Sequence, residues 1–202
     1  MWEVGEYQTY SVSSAYTLLR QDREEELSSE YGKLWRCKAL SSTLFTAWRV
    51  LENRIATTVN LERRGIGVNN LLCCLCGKEE ESNCRLFFAC RFAWLVWCLC
   101  FEWLGVVFVT HIDPMSSFIQ FGMCNASGLV NDLWGAICVG VVSEIWKHRN
   151  NIIFNRGKAD VTEVFALVQV NVWSWIYSKS RFRMFSFSDW CLDPATCMRM
   201  AV

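Results

Sequence analysis

Residues 71–90 read LLCCLCGKEEESNCRLFFAC, five cysteines in twenty positions with no histidine among them. Cys73 and Cys76 have the Cys-x-x-Cys spacing with which one tight turn offers two thiolates to a tetrahedral zinc ion, the second pair coming from further along the chain. Gly77 follows directly and suits a knuckle, because a residue without Cβ takes a positive φ at little cost. For the second pair only Cys84 and Cys90 serve, since the guanidinium of Arg85 has no lone pair to donate. Those two cysteines lie six apart, so they face one ion only if the backbone between them leaves a regular helix. The candidate ligands are Cys73, Cys76, Cys84 and Cys90, with Glu79, Glu80 and Glu81 expected to form a solvated loop.

Outward from this stretch, the composition favours helices. With 11 Trp and 13 Phe against only 2 Pro, the chain of 202 residues reads as long, aromatic-packed helices with few breakers, in one domain or two small ones. The expected fold is mainly α, with a short N-terminal β-hairpin around Gly5 and a zinc-knuckle-like cysteine loop. A first helix follows Ser11 or Ser13, and DREEELSSEYGK reads as a solvated linker. Leu44, Phe45, Trp48 and Leu51 form the apolar stripe of a second helix capped by Ser41 or Ser42. A short helix is capped by Thr57 and stopped by Gly65. Two amphipathic helices are expected over 130–150 and 160–178, the latter burying Val161, Val164, Phe165, Val168, Val172 and Trp175. The tail from Ser186 has no clear period, and the natural division falls between 1–110 and 111–202.

Residues 92–110, FAWLVWCLCFEWLGVVFVT, carry Glu102 as their only charge and are about as long as a bilayer requires. Glu102 near the centre, Gly105, and tryptophans scattered along the stretch rather than at its ends favour a buried core helix; a membrane span is the third reading. The N-terminal MWEVGEYQTYSV lacks the pattern of a secretory signal, so the expected location is intracellular, nuclear or cytoplasmic, with the 12 cysteines as thiols or ligands rather than disulfides.

Lys plus Arg and Asp plus Glu balance at 20 each, so no global field holds a phosphate backbone. Local clusters stand at Arg54, Arg63 and Arg64, at Lys147 and Arg149 extending to Arg156 and Lys158, and at Lys179 to Arg183. Arg63, Arg64, Lys147 and Arg149 are the candidate contacts to RNA or DNA, with weak, salt-dependent binding expected. Signs of an enzyme are missing. His111 reads as a loop residue and His148 as a capping or solvated residue at a helix end, and neither Gly-rich phosphate motif occurs. There is no Asp-Asp pair, as a polymerase metal site would need, and no small-molecule substrate is implied.

Three stretches together, SVSSAY, LWRCKALSSTLFTAWRVLENRIATTVNLERRGI and CCLCGKEEESNCRLFFACRFAWLVW, resemble the zinc-binding domain associated with plant non-LTR (LINE-type) retrotransposon reverse transcriptases. The likeness runs from about Trp2 to Trp103, and EIWKHRNNIIF resembles the helix that follows in such elements. The resemblance implies a structural zinc ion and places three ligands on Cys73, Cys76 and Cys90, with the family's histidine replaced by Arg85. Two readings stay open: Cys84, or Cys74, supplies the missing ligand, or the site is degenerate. The implied function is a non-catalytic, retrotransposon-derived module that ancestrally supported nucleic-acid handling by a reverse transcriptase; the alternative is a metal-free helical protein with an interaction or structural role.

Overall fold

The computed structural model describes residues 31–107, 111–123, 128–179 and 185–200, and the chain divides into two compact units, residues 1–36 and 37–202. The expected hairpin at Gly5, the first helix and most of its linker lie outside the described residues; of the first unit only a helical stretch at 31–36 is described. The second unit holds α1 (Ser41–Leu51), α2 (Thr58–Arg63), a π-helical turn (Arg85–Ala89), α3 (Arg91–Leu104), α4 (Pro114–Met123), α5 (Gly128–Asn155), α6 (Val161–Lys179), α7 (Phe187–Leu192) and α8 (Pro194–Met200). Among the described residues the fold is mainly α, and the only extended pairing is an isolated antiparallel bridge between Leu72 and Glu80. The knuckle and the helices after 111 share one unit.

Helix α5 is the axis of the unit, packed by α1, α3, α4, α6 and α8. Leu133, Trp134, Ala136, Ile137, Cys138, Val139, Val141, Val142 and Ile145 are all buried. Neighbours on every side leave the middle of α5 no polar face, which corrects the expectation of an amphipathic helix there. Gly140 permits a close approach to α6: a Cβ on it would sit 2.7 Å from Cγ2 of Val172. Helix α6 buries Val164, Val168, Val172 and Trp175 of its expected stripe, together with Ile176, while Val161 and Phe165 are half-buried.

On α1 the buried face is Thr43, Leu44, Ala47 and Val50, while Phe45 is 51% exposed. The expected stripe is therefore turned by about one position. Phe45 instead leans on Trp48 at 5.4 Å between ring centroids, along the rim of the helix. Helix α2 begins as its sequence indicates, with Thr57 Oγ1 accepting the Asn60 amide, and the chain leaves it through Gly65 at φ 76°.

The apolar window from 92 forms α3, a core helix of 14 residues that buries Phe92, Ala93, Val96, Trp97, Cys100, Phe101 and Leu104 and ends at Gly105 with φ 64°. At 1.5 Å per residue it is about 21 Å long, short of the roughly 30 Å hydrocarbon layer. Among the described residues no helix is long and apolar enough to cross a membrane. Trp97 stacks on Phe88 and Phe101 and meets Phe121, which in turn meets Trp134 edge-on, so one aromatic chain runs from the π-helical turn to α5. The indole N–H of Trp97 donates to the Phe87 carbonyl at 2.9 Å.

The tail forms two short helices. Ser186 and Asp189 make a reciprocal capping box for α7, which delivers the fully buried Trp190 onto Trp103 at 5.0 Å, edge to face. The box holds the Asp189 carboxyl below the usual carboxylate range through the Ser186 amide and hydroxyl.

Candidate metal centre

The knuckle is built by backbone hydrogen bonds before any side chain acts. Cys73 N–H donates to the Glu79 carbonyl at 2.8 Å, Gly77 N–H to the Cys73 carbonyl at 2.7 Å, and Glu81 N–H to the Leu71 carbonyl at 2.7 Å. The chain thus doubles back within residues 71–81, with the turn taken by Gly77 at φ 65°. Thr58 Oγ1 donates to the Leu71 carbonyl at 2.9 Å, which ties one arm of the knuckle to the first turn of α2.

Glu81 is the unforeseen member. Expected in a solvated loop, it is fully buried: its carboxylate accepts the Thr58 amide at 3.2 Å and the Arg149 guanidinium at 2.6, 3.1 and 3.2 Å. A carboxylate survives there because a cation and a backbone amide replace its lost water. On the knuckle's other flank, the Asn83 side-chain amide donates to the Val50 carbonyl at 2.7 Å, fixing the knuckle's exit on α1.

Next, the π-helical turn brings the remaining thiol home. Cys90 N–H donates to the Arg85 carbonyl at 2.8 Å, Cys90 takes an extended conformation (φ −72°, ψ 140°), and its carbonyl accepts the Trp94 amide to open α3. The chain thus leaves a regular helix between 84 and 90, yet this does not bring the Cys84 thiol to Cys90. The turn also buries Leu86, Phe87 and Phe88, which anchor it to the core.

Three sulfurs converge as a result. The thiols of Cys73, Cys76 and Cys90 lie within 4.8 Å of one another, Cys73 and Cys90 being buried and 3.9 Å apart. The two hydrogen-bonded thiols shift in opposite senses. Cys73 donates to Cys90 and is pushed up by that bond and by burial; Cys90 is drawn down by the same bond and by the Ala93 and Phe92 amides at the start of α3. Cys74 points elsewhere, against the Arg149 carbonyl at 3.9 Å, with burial and nearby Glu81 raising it to about 12.

Cys84 does not join the three. It precedes the π-helical turn and lines an open groove with Lys78, Glu79, Arg85 and Ile112, its thiol pushed up by burial and by Asp113. Arg85 forms an ion pair with Glu79 across the knuckle. Among the described residues no fourth Cys, His, Asp or Glu completes the cluster.

The candidate nucleic-acid residues separate in the same way. Arg63 and Arg64 are exposed at the end of α2, where Arg64 donates to the Arg54 carbonyl at 2.8 Å. Lys147 is exposed but ion-paired to Glu144 at 2.6 Å. Arg149 is 4% exposed, held by Glu81 and stacked 4.9 Å over Trp146, so it offers nothing to a surface ligand. His148, expected as a capping or solvated residue at a helix end, is instead buried inside α5; it stacks on Phe92 at 5.5 Å, and its Nε2 accepts the Asp160 amide at 3.0 Å. It closes the join of α5 to α6.

Residues 10–97 match the family model described as zinc-binding in reverse transcriptase. The match covers less than half of the chain and marks a likeness to such domains; it ends inside α3, just beyond the three converging thiols. No curated protein and no solved structure matches the chain.

The zinc ion that the family implies can be tested against these residues. With Zn–S bonds of about 2.3 Å, tetrahedral thiolates sit about 3.8 Å apart. The 3.9 Å between Cys73 and Cys90 already has that edge, and Cys76 needs only a small closure from within 4.8 Å. Three thiolates fit zinc as donors, and among the described residues a fourth protein donor is not brought to them.

Proposed function

We propose that this chain is a non-catalytic zinc-binding module of retrotransposon origin, related to the LINE-type elements of plants, which supports nucleic-acid handling. The observation that carries the reading is the convergence of Cys73, Cys76 and Cys90 from two separate backbone devices, within the segment that matches the family. When bound, zinc would supply a structural crosslink between the knuckle and the start of α3. The chain's own residues do the rest: Glu81, Thr58 and Asn83 hold the knuckle on α1, α2 and α5, and the Phe87 and Phe88 side chains hold the turn. Arg63 and Arg64, exposed beside Arg54, form the surface that phosphates would meet.

Zinc content of the full chain purified under reducing conditions tests this. About one equivalent is expected, lost in Cys73→Ser and Cys90→Ser; less than about half an equivalent in the unaltered chain overturns the metal. Titration with single-stranded RNA across a salt series tests the partner: affinity should fall with salt, and Arg63→Ala with Arg64→Ala should flatten that slope. A binding curve indifferent to salt would remove phosphate contacts from the account. One observation favours the metal-free reading, the Arg85–Glu79 ion pair that clasps the knuckle without a metal, and the same zinc assay decides between the two.

A further inference from the structure

We propose that Arg85 leaves the fourth coordination position of this centre to a ligand from outside the chain, a solvent molecule that a thiol can replace. The proposal rests on the zinc-binding reading and concerns what closes the ion's shell.

Among the described residues, those that stand where a fourth ligand could come from are placed elsewhere, Cys74 against the Arg149 carbonyl. Arg85 has no lone pair, and its guanidinium is taken up by Glu79. Its backbone is fixed at both ends, the amide donating to Ser82 Oγ at 3.3 Å and the carbonyl accepting Cys90 N–H at 2.8 Å. Cys84 is in the groove wall and outside the cluster. Bringing its sulfur to the other three would mean unwinding a turn whose Leu86, Phe87 and Phe88 are packed in the core.

The vertex is also reachable. Cys73 and Cys90 are buried, but Cys76 is half-buried and Gly77, Lys78, Glu79 and Glu80 beyond it are exposed. Solvent therefore has access on the knuckle side of the cluster. A divalent ion with three protein ligands and one open position keeps water there, as open zinc sites do. A thiol suits it better, because a soft donor matches an ion already held by sulfur. In the exchange the entering thiol gives its proton to solvent, its sulfur pair forms the new bond to the metal, and the water leaves intact.

Cobalt(II) substitution reads the vertex directly through its visible absorption. The full chain, reduced with a phosphine, is loaded with one equivalent of cobalt and titrated with 2-mercaptoethanol. The expected result is a shift of the visible bands, and a sulfur-to-cobalt absorption that rises by about a third as three sulfurs become four. Cys84→Ser should respond as the unaltered chain does, and Arg85→His, which supplies an imidazole from within, should not respond. A spectrum unchanged by the thiol, a response lost in Cys84→Ser, or a response retained in Arg85→His overturns the open position. Failure to bind cobalt at all overturns the zinc-binding reading as well, so the two failures are distinct.

Discussion

The carboxylate of Glu81 meets the guanidinium of Arg149 at 2.6 Å across 68 residues of sequence, with neither side chain open to solvent. One residue belongs to the cysteine knuckle and the other to the central helix. The same carboxylate oxygen accepts the first amide of α2, so three segments meet at one buried atom. A pair of this kind is hard to break from one side, because the surviving charge has nowhere to go.

Arg149→Ala should therefore destabilise the chain by about 3–5 kcal/mol, most of it the cost of a buried, uncompensated Glu81. Arg63→Ala, at an exposed helix end, should change stability by no more than about 0.5 kcal/mol. Urea unfolding of the two variants checks the contrast, and similar midpoints would mean that the pair is not buried in solution.

Metal affinity should fall on acidification. Zinc takes thiolates, and the Cys73 proton, held more tightly than in an ordinary thiol by its bond to Cys90 and by burial, must leave as the ion enters. Lower pH opposes that release, by about tenfold in apparent affinity for each proton per pH unit. Competition with a chromophoric chelator between pH 6 and pH 8 measures the slope, and a flat profile would contradict thiolate ligation.

Gly140→Ala should cost about 1–3 kcal/mol, since the new methyl would meet Val172 Cγ2 at 2.7 Å in a part of the core with no slack. Combining it with Val172→Ala should recover part of the loss by making room. Thermal unfolding of the single and double variants checks both signs; additive losses would place the strain elsewhere.

How much of this was legible in the sequence depended on the range of the interaction. Thr57 as a cap, Gly65 as a stop and the stripe on α6 are local features, and each stands where the pattern puts it. Cys73, Cys76 and Cys90 were legible for the same reason, being fixed by a turn and a neighbouring helix start. Glu81 was not, because its burial is decided by Arg149, and nothing beside a run of three glutamates marks one as inward. His148 was misplaced by its neighbours: Lys147, Arg149 and Asn150 suggest a polar helix end, while α5 runs on to Asn155 and turns the ring inward against Phe92. On α1 periodicity located the helix but not its rotation, which depends on the partners it packs against, α4 and α5. The two tail helices escaped notice because each is shorter than two turns of apolar repeat; only the Ser186 to Asp189 spacing announces the first.

Helix α5 begins at Gly128, well past the end of the family match at 97, yet it fills the middle of the unit that contains the knuckle. The match and the packing draw their lines in different places. A peptide cut at residue 97 would keep every thiol of the cluster and lose the wall they are mounted on. The stretch that is recognisable in sequence is thus smaller than the stretch that packs as a unit, and residues 128–155 serve as the mounting for thiols that lie outside them.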